Sequence, residues 1–304
     1  MWVLSRYADV AAALRDPLLV PASPISTAPA ATMDAAAHAR FREEALRVLA
    51  ASRMREWEAQ ASALAQRRVA ALPADRPVDL VAEYAAPWSL EVAGIAAGVE
   101  PERRAELGRQ ARRIFEAACE PFDAALEVAS RDATTKLALA CEGSAIHVQM
   151  FIALSQSLPA FLGNAWLALI EHRSRAVRLP QAIDELLRLA GPARAIFRRA
   201  AGAVIIGGCT IRPQERVMLR LDRANRDPRH FTEPDELRFD RAPDHVAFGG
   251  GVHACVGGSL IRLAAAATTR AWIANFGLPE ECTAATVDAF AMRYVSSLVT
   301  VLRK

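Results

Sequence analysis

The sequence predicts a mainly α fold with a small β region, and three observations carry that expectation. Apolar residues recur at helical spacing, with charges between them, through most of residues 1–200. Beyond residue 200 this pattern gives way to short β-branched runs bounded by glycine and proline. No internal repeat or low-complexity linker divides the 304 residues, so 1–304 reads as a single domain, α-rich over 1–200 and mixed strand and coil over 201–304.

Taken in order, Tyr7 to Leu14 reads as a short helix and the stretch from Pro21 to Thr32 as an irregular loop. Arg40 to Ala71, Ala82 to Gly98, Pro101 to Ala118 and Glu120 to Leu139 all carry helical periodicity. Met150 to Ile170 is long and apolar enough to raise a transmembrane reading. Ser155, Gln156, Ser157, Pro159 and Asn164 would be costly in lipid, so a buried helix is expected there instead. Pro159 removes a backbone donor and leaves the Ser155 carbonyl without its usual helix partner, which predicts a kink. Pro180 to Leu189 is a further helix, stopped by Gly191-Pro192. Ala203 to Ile211 and Glu215 to Leu221 read as strands, and Asn225 to Gly251 as coil. An alanine-rich helix from Ser259 to Phe276 follows, and Phe290 to Leu302 closes the chain as a hairpin or strand.

Composition excludes some partners. Thirty-seven Lys and Arg against 34 Asp and Glu, without a long basic run, argue against nucleic acid. Five cysteines, Cys119, Cys141, Cys209, Cys255 and Cys282, are far apart and lack the spacing of a disulfide framework or a zinc site. A reducing cytoplasm and no membrane are expected, since the opening residues also lack the pattern of a signal peptide.

The most informative stretch is Phe248-Gly-Gly-Gly-Val-His-Ala-Cys-Val-Gly-Gly, just ahead of the helix from Ser259. Its glycines, among them Gly249 and Gly257, let the backbone turn tightly and lie close to a flat ligand. Cys255 stands before a helix N-terminus, where the dipole and free amides favour a thiolate able to ligate heme iron. Two other readings of the loop stay open: a phosphate cradle, which lacks the Gly-Lys-Ser/Thr ending, and a nucleophilic Cys paired with His253. Glu185 and Arg188, three apart on one helix face, form either an internal charge network or an ordinary solvated pair.

Four motifs then fall in a shared order: Glu185-Leu-Leu-Arg188, Ala224-Asn-Arg-Asp-Pro228, Pro234-Asp-Glu-Leu-Arg-Phe239, and Phe248-x-x-Gly251-x-x-x-Cys255-x-Gly257. In that order and spacing the chain resembles the cytochrome P450 family, from about Trp2 to Arg303, most specifically in its C-terminal half. The resemblance implies a P450-like fold carrying heme b, iron protoporphyrin IX, with Cys255 as the proximal thiolate ligand and Phe248 beside it. It further implies that Glu185, Arg188 and Arg238 form a buried network bracing the heme-binding coil. His253 and Arg198 match positions that bind one heme propionate, and His38 and Arg42 resemble the pair that binds the other.

The chain departs from the family in two places. Aligning Leu162-Gly-Asn164 with the end of the oxygen-activating helix puts Gln156 and Ser157 at the acid and alcohol positions of the proton relay. Ser157 can hydrogen-bond but Gln156 cannot ionise, so protons must arrive by water, a substrate group or another route. The fold also looks truncated at the N-terminus and in the distal lid, with little chain between Arg103 and Gln149 for a helix pair over the pocket. That leaves an open distal side, unless a second subunit or a carrier-bound substrate covers it.

Three functions follow from the resemblance. The first is a monooxygenase or other oxidative tailoring enzyme, acting on a small biosynthetic metabolite with O2 and electrons from an external ferredoxin and its reductase. No flavin or iron-sulfur motif stands in the chain itself. The second is a heme-thiolate enzyme driven by peroxide, or one that rearranges or dehydrates its substrate. The third is a degenerate binding protein, disfavoured because Cys255 and its supporting motifs are all present. Leu154, Ser157, Phe161, Ala195, Ile196 and Ser297 are the pocket-facing candidates and describe a mostly apolar site.

Overall fold

The computed structural model describes residues 1–22, 35–74, 76–172, 181–241 and 244–303. Most of the expected loop after Pro21, and the first residue of the helix expected from Pro180, lie outside the described residues.

A short strand, β1 (Trp2–Leu4), leads into α1 (Tyr7–Arg15), and β2 (Leu19–Pro21) follows. The periodic run from Arg40 to Ala71 is two helices, α2 (Ala35–Val48) and α3 (Ala51–Ala70). The break falls where Ala50 turns extended (φ −60°, ψ 150°); no glycine or proline marks it, so the periodic signal ran through. After β3 (Pro77–Asp79) come a π-helical turn over Leu80–Ala85 and α4 (Ala86–Ala96). The Asp79 carboxylate starts that turn, accepting the Val81 and Ala82 N–H groups at 2.9 and 3.1 Å.

Two helices, α5 (Pro101–Cys119) and α6 (Ala124–Ala140), pack on one another where little chain was expected for a lid. The second begins at Ala124 instead of Glu120 because the Asp123 side chain caps it, accepting the amides of Ala125 and Leu126. Next runs the long helix α7 (Ala145–Glu171), apolar enough to cross a membrane by length and composition, although 67% of its most apolar window is buried against the protein. The kink expected at Pro159 takes the form of a π turn over Ala153–Ser157, in which the Leu158 N–H reaches back to the Ala153 carbonyl. This wider turn ends just ahead of the proline, so the missing donor is absorbed by a change of hydrogen-bond register.

The C-terminal half holds α8 (Gln181–Ala190), β4 (Ala195–Ala200), β5 (Val204–Ile206), β6 (Cys209–Ile211), β7 (Arg216–Arg220) and the single turn α9 (Leu221–Ala224). The strand run Ala203–Ile211 folds as a β5–β6 hairpin, turned at Gly207 and Gly208, which take left-handed φ of +58° and +79°. A long coil reaches the cysteine loop, then α10 (Gly258–Phe276) and the antiparallel pair β8 (Thr283–Asp288) and β9 (Arg293–Val301). One sheet has the order β1-β7-β4-β2, with β1 parallel to β7, and a second has the order β3-β9-β8. Strands of three residues such as β1, β2 and β3 are too short to show a two-residue period.

The core forms around α7. Trp166 stacks between Tyr84 (5.7 Å) and Trp272 of α10 (5.4 Å), all three fully buried, and its indole N–H donates to Thr269 Oγ1 at 3.1 Å. Burial of each such ring contributes roughly 2 kcal/mol or more. With this stack α10 is fixed against α7, and the cysteine loop at the head of α10 is fixed with it.

Candidate functional site

The loop before α10 is shaped by its glycines. Gly249 and Gly251 adopt φ of +69° and +64°. At Gly251 a Cβ would also lie 2.5 Å from the Leu14 carbonyl oxygen of α1, so no other residue fits without moving α1. The Asn225 side chain holds the approach to the loop by accepting the Val246 N–H at 2.8 Å. Within the loop the Cys255 N–H donates to the Phe248 carbonyl at 2.9 Å.

Cys255 is exposed at its side chain and yet enclosed by surrounding protein. Burial pushes its thiol up, against the opposing pull of the Gly257 N–H, which donates to sulfur, and of the Arg262 and Arg42 charges. The Gly257 N–H and the two guanidiniums are the groups that favour the deprotonated sulfur. No group of three or more His, Cys, Asp or Glu able to hold a metal stands among the described residues.

The four basic residues expected at the propionates come together. His253 Nδ1 lies 3.2 Å from His38 Nε2 of α2, and Arg42 Nη1 donates to the Ala254 carbonyl at 2.9 Å. Arg198 on β4 is buried, and burial lowers its guanidinium to about 10. His253 is lowered to about 4, first by burial and then by His38, Arg198 and Arg42. His38 is lowered as well, by burial and by Arg42. None of the four pairs with a carboxylate among the described residues. Two guanidiniums and two imidazole N–H donors, partly buried and without an anion among the described residues, make a site for a ligand bearing carboxylates. The donor set of this loop and quartet thus fits heme b: a sulfur beside basic groups that suit propionates.

The buried network differs from expectation in one member. Arg188 is 2% exposed and spends every N–H: Nε and Nη2 on Glu185 (2.7 and 2.8 Å), Nη1 on the carbonyls of Asn225 and Pro234 (2.8 and 2.7 Å), Nη2 again on Glu236 (3.1 Å). Arg238, however, gives Glu185 only its backbone N–H, at 3.0 Å, while its guanidinium turns outward to Asp240 and Glu233 at 2.7 Å each. Arg241 takes the expected place, its Nε 3.2 Å from Glu185 Oε1 and its side chain 15% exposed. The sequence signal was ambiguous because both arginines flank Phe239-Asp240, and only the path of the coil decides which turns inward.

Gln156 and Ser157 do not act as a pair. The Gln156 amide donates to the Gly108 carbonyl of α5 and to Ser155 Oγ, both at 3.3 Å, and faces a groove of about 510 Å³ between α4, α5, α7 and β9. Ser157 is half-buried and does not line that groove. Gln149, Ala153 and Ser157 recur as half-buried positions along α7, and Gln149 Oε1 is a buried acceptor without a partner among the described residues. Leu154 and Phe161, expected to face a pocket, are core residues, 1% and 2% exposed. The π turn shifts the residue count around the helix, so facing positions counted at the α-helical period were wrong there. Ala195 is buried with Phe197 and Met218, Ile196 packs against the α1 cluster, and the Ser297 hydroxyl bonds to Asp79.

The family pattern for cytochrome P450 matches residues 169–281, from the end of α7 through the cysteine loop and α10. The vitamin D(3) 25-hydroxylase of Pseudonocardia autotrophica is 31% identical over 86% of this chain and 77% of its own length. The beta-dihydromenaquinone-9 omega-hydroxylase of Mycobacterium tuberculosis is 29% identical over 90% of this chain and 66% of its own. Among solved structures, P450BioI in complex with an acyl carrier protein ligated to hexadec-9Z-enoic acid superimposes with a TM-score of 0.89, at 20% identity, over 99% of this chain and 92% of that one. With the cysteine loop, the Glu185–Arg188 pair and a relative matched over 77% of its length in agreement, the chain belongs to the cytochrome P450 family, the heme b oxidoreductases.

Proposed function

We propose that Cys255 is the axial thiolate ligand of heme b, that Arg198, His253, His38 and Arg42 hold its propionates, and that the chain is a monooxygenase acting on a small, mostly apolar metabolite. The observation that carries this reading is the convergence of Cys255 with four basic side chains that have no carboxylate of their own among the described residues. Bound heme supplies oxygen activation, with electrons from an external ferredoxin and its reductase.

The chain's own residues do the rest. The Gly257 N–H and the Arg262 and Arg42 charges favour the deprotonated sulfur. The Glu185–Arg188 pair, with its carbonyl partners at Asn225, Pro234 and Glu236, keeps the coil that leads to the loop in one conformation. On α7, Ser157 offers a hydroxyl and Gln149 a free acceptor, whereas the Gln156 amide is occupied with α5 and carries no proton to give at neutral pH. Proton supply then falls to Ser157 with water or a substrate group. A carrier-bound substrate is part of the proposal, supported by the acyl carrier protein seen with P450BioI.

The test is the absorption spectrum of the dithionite-reduced protein under carbon monoxide, beside Cys255→Ala. A long-wavelength thiolate band that disappears in the variant is expected. No heme, or a band unchanged by the substitution, would sink the reading. A second reading, turnover driven by peroxide, is favoured by Gln156, which by resemblance takes the position of the relay acid and cannot ionise. Product formed with peroxide alone, and none with a ferredoxin system, would select it.

A further inference from the structure

Helix α8 is tied to the cysteine loop twice, and the Glu185–Arg188 pair is only the first tie. The second starts at the neighbouring Asp184. Its Oδ1 accepts from Arg262 Nε of α10 at 2.6 Å and stands 3.1 Å from His245 Nε2, in the coil ahead of the loop. The Arg262 guanidinium lies over the Phe248 ring, with Cζ 4.8 Å from the centroid. The same ring meets His245 edge-on, at 5.9 Å and 61°. Phe248 in turn receives the Cys255 N–H on its carbonyl. At Gly258, in the first turn of α10, a Cβ would meet both Arg262 Nη1 and Phe248 Cδ2 at 3.2 Å, so ring and guanidinium close over that turn together.

Two physical consequences follow. A guanidinium held flat on an aromatic face by a carboxylate fixes the ring through cation–π attraction, and an ammonium does not reproduce the planar stack. A fixed positive charge near the Cys255 sulfur also draws electron density toward itself, which weakens what the sulfur can donate to a metal. Both effects rest on Arg262 keeping one orientation, and Asp184 supplies it.

We propose that Arg262, oriented by Asp184, is a positioning residue that holds the Phe248 ring over the cysteine loop and sets the donor strength of the Cys255 sulfur. The inference rests on the reading of Cys255 as the thiolate ligand.

The test uses the heme-loaded protein and four variants: Arg262→Met, Arg262→Lys, Phe248→Leu and the Arg262→Met/Phe248→Leu double variant. Readouts are the reduction potential of the bound heme and the decay time of the reduced carbon monoxide band, with the thermal midpoint as a folding control. Arg262→Met is expected to move the potential to more negative values, because the added electron loses a nearby positive charge, and to shorten the band's lifetime severalfold. Arg262→Lys should recover the potential but not the lifetime. Phe248→Leu should shorten the lifetime in the parent protein and add nothing in the Arg262→Met background.

An unchanged potential in Arg262→Met, or lifetime effects of the two substitutions that simply multiply, would overturn the proposal. If Arg262→Met does not retain heme, Asp184→Ala keeps the Arg262 charge while removing the carboxylate that orients it; a shortened lifetime with a potential moved to more positive values supports the proposal, and an unaltered lifetime refutes it. A parent protein without a thiolate-type band overturns the underlying reading itself, so the two failures are told apart.

Discussion

Glu185 and Arg188 form a fully enclosed ion pair across one turn of α8, with contacts of 2.7 and 2.8 Å and no accessible surface on either side chain. The three remaining N–H groups of Arg188 bind carbonyls of Asn225, Pro234 and Glu236, up to 48 residues away. Replacing Arg188 by Met leaves the buried Glu185 charge to Arg241 and the Arg238 N–H alone and strands three carbonyls, and is expected to cost about 3–5 kcal/mol. Urea denaturation measures the loss, and heme content should fall with it.

The two candidate third members of this network are separable by mutation. Arg241→Ala removes the second cation facing Glu185 and should destabilise by about 1–3 kcal/mol. Arg238→Ala leaves the backbone N–H that Glu185 uses, and takes away only an outward pairing with Asp240 and Glu233. Its urea midpoint should match that of the parent protein.

Gly251→Ala tests the loop's geometry. The left-handed φ alone costs about 1–3 kcal/mol for a residue with a Cβ, and the Leu14 carbonyl 2.5 Å from the added atom forces α1 or the loop to shift. A lower thermal midpoint and poor heme uptake are expected, whereas Gly257→Ala, with φ of −86° and open space around it, should be mild.

The heme-free protein should lose stability in acid through its histidines. His253 is lowered to about 4 from an ordinary 6.5, so between those values the unfolded chain takes up a proton that the folded one refuses. This contribution is fully present above pH 6.5 and is lost as pH falls toward 4. Urea midpoints measured across that window should drop, and less steeply in His253→Gln, which keeps a polar group and cannot titrate.

Gln149→Leu should stabilise the heme-free protein by about 1 kcal/mol, because it deletes a buried acceptor that has no partner among the described residues. The thermal midpoint of the variant is expected at or above the parent value. A lower midpoint in Gln149→Leu would show that the oxygen has a structural partner.

By itself the sequence singled out the cysteine loop and the helix pair behind it. Gly251, Cys255, Glu185 and Arg188 are legible because each position admits only one kind of residue: a glycine at positive φ, a sulfur before a helix, and a carboxylate and a guanidinium three apart on one face. The long helices were legible for a similar local reason, since a period of 3.6 repeats over many residues. Tertiary structure decided the rest. His38 meets His253 across 215 residues, and Arg241 displaces Arg238 because the coil, which has no period, chooses the side chain that turns inward. The π turn at Ala153–Ser157 decides which faces of α7 point to the core, sending Leu154 and Phe161 inward and Gln156 to α5. Such contacts depend on where distant segments pass one another, which packing of the whole chain sets and local spacing does not.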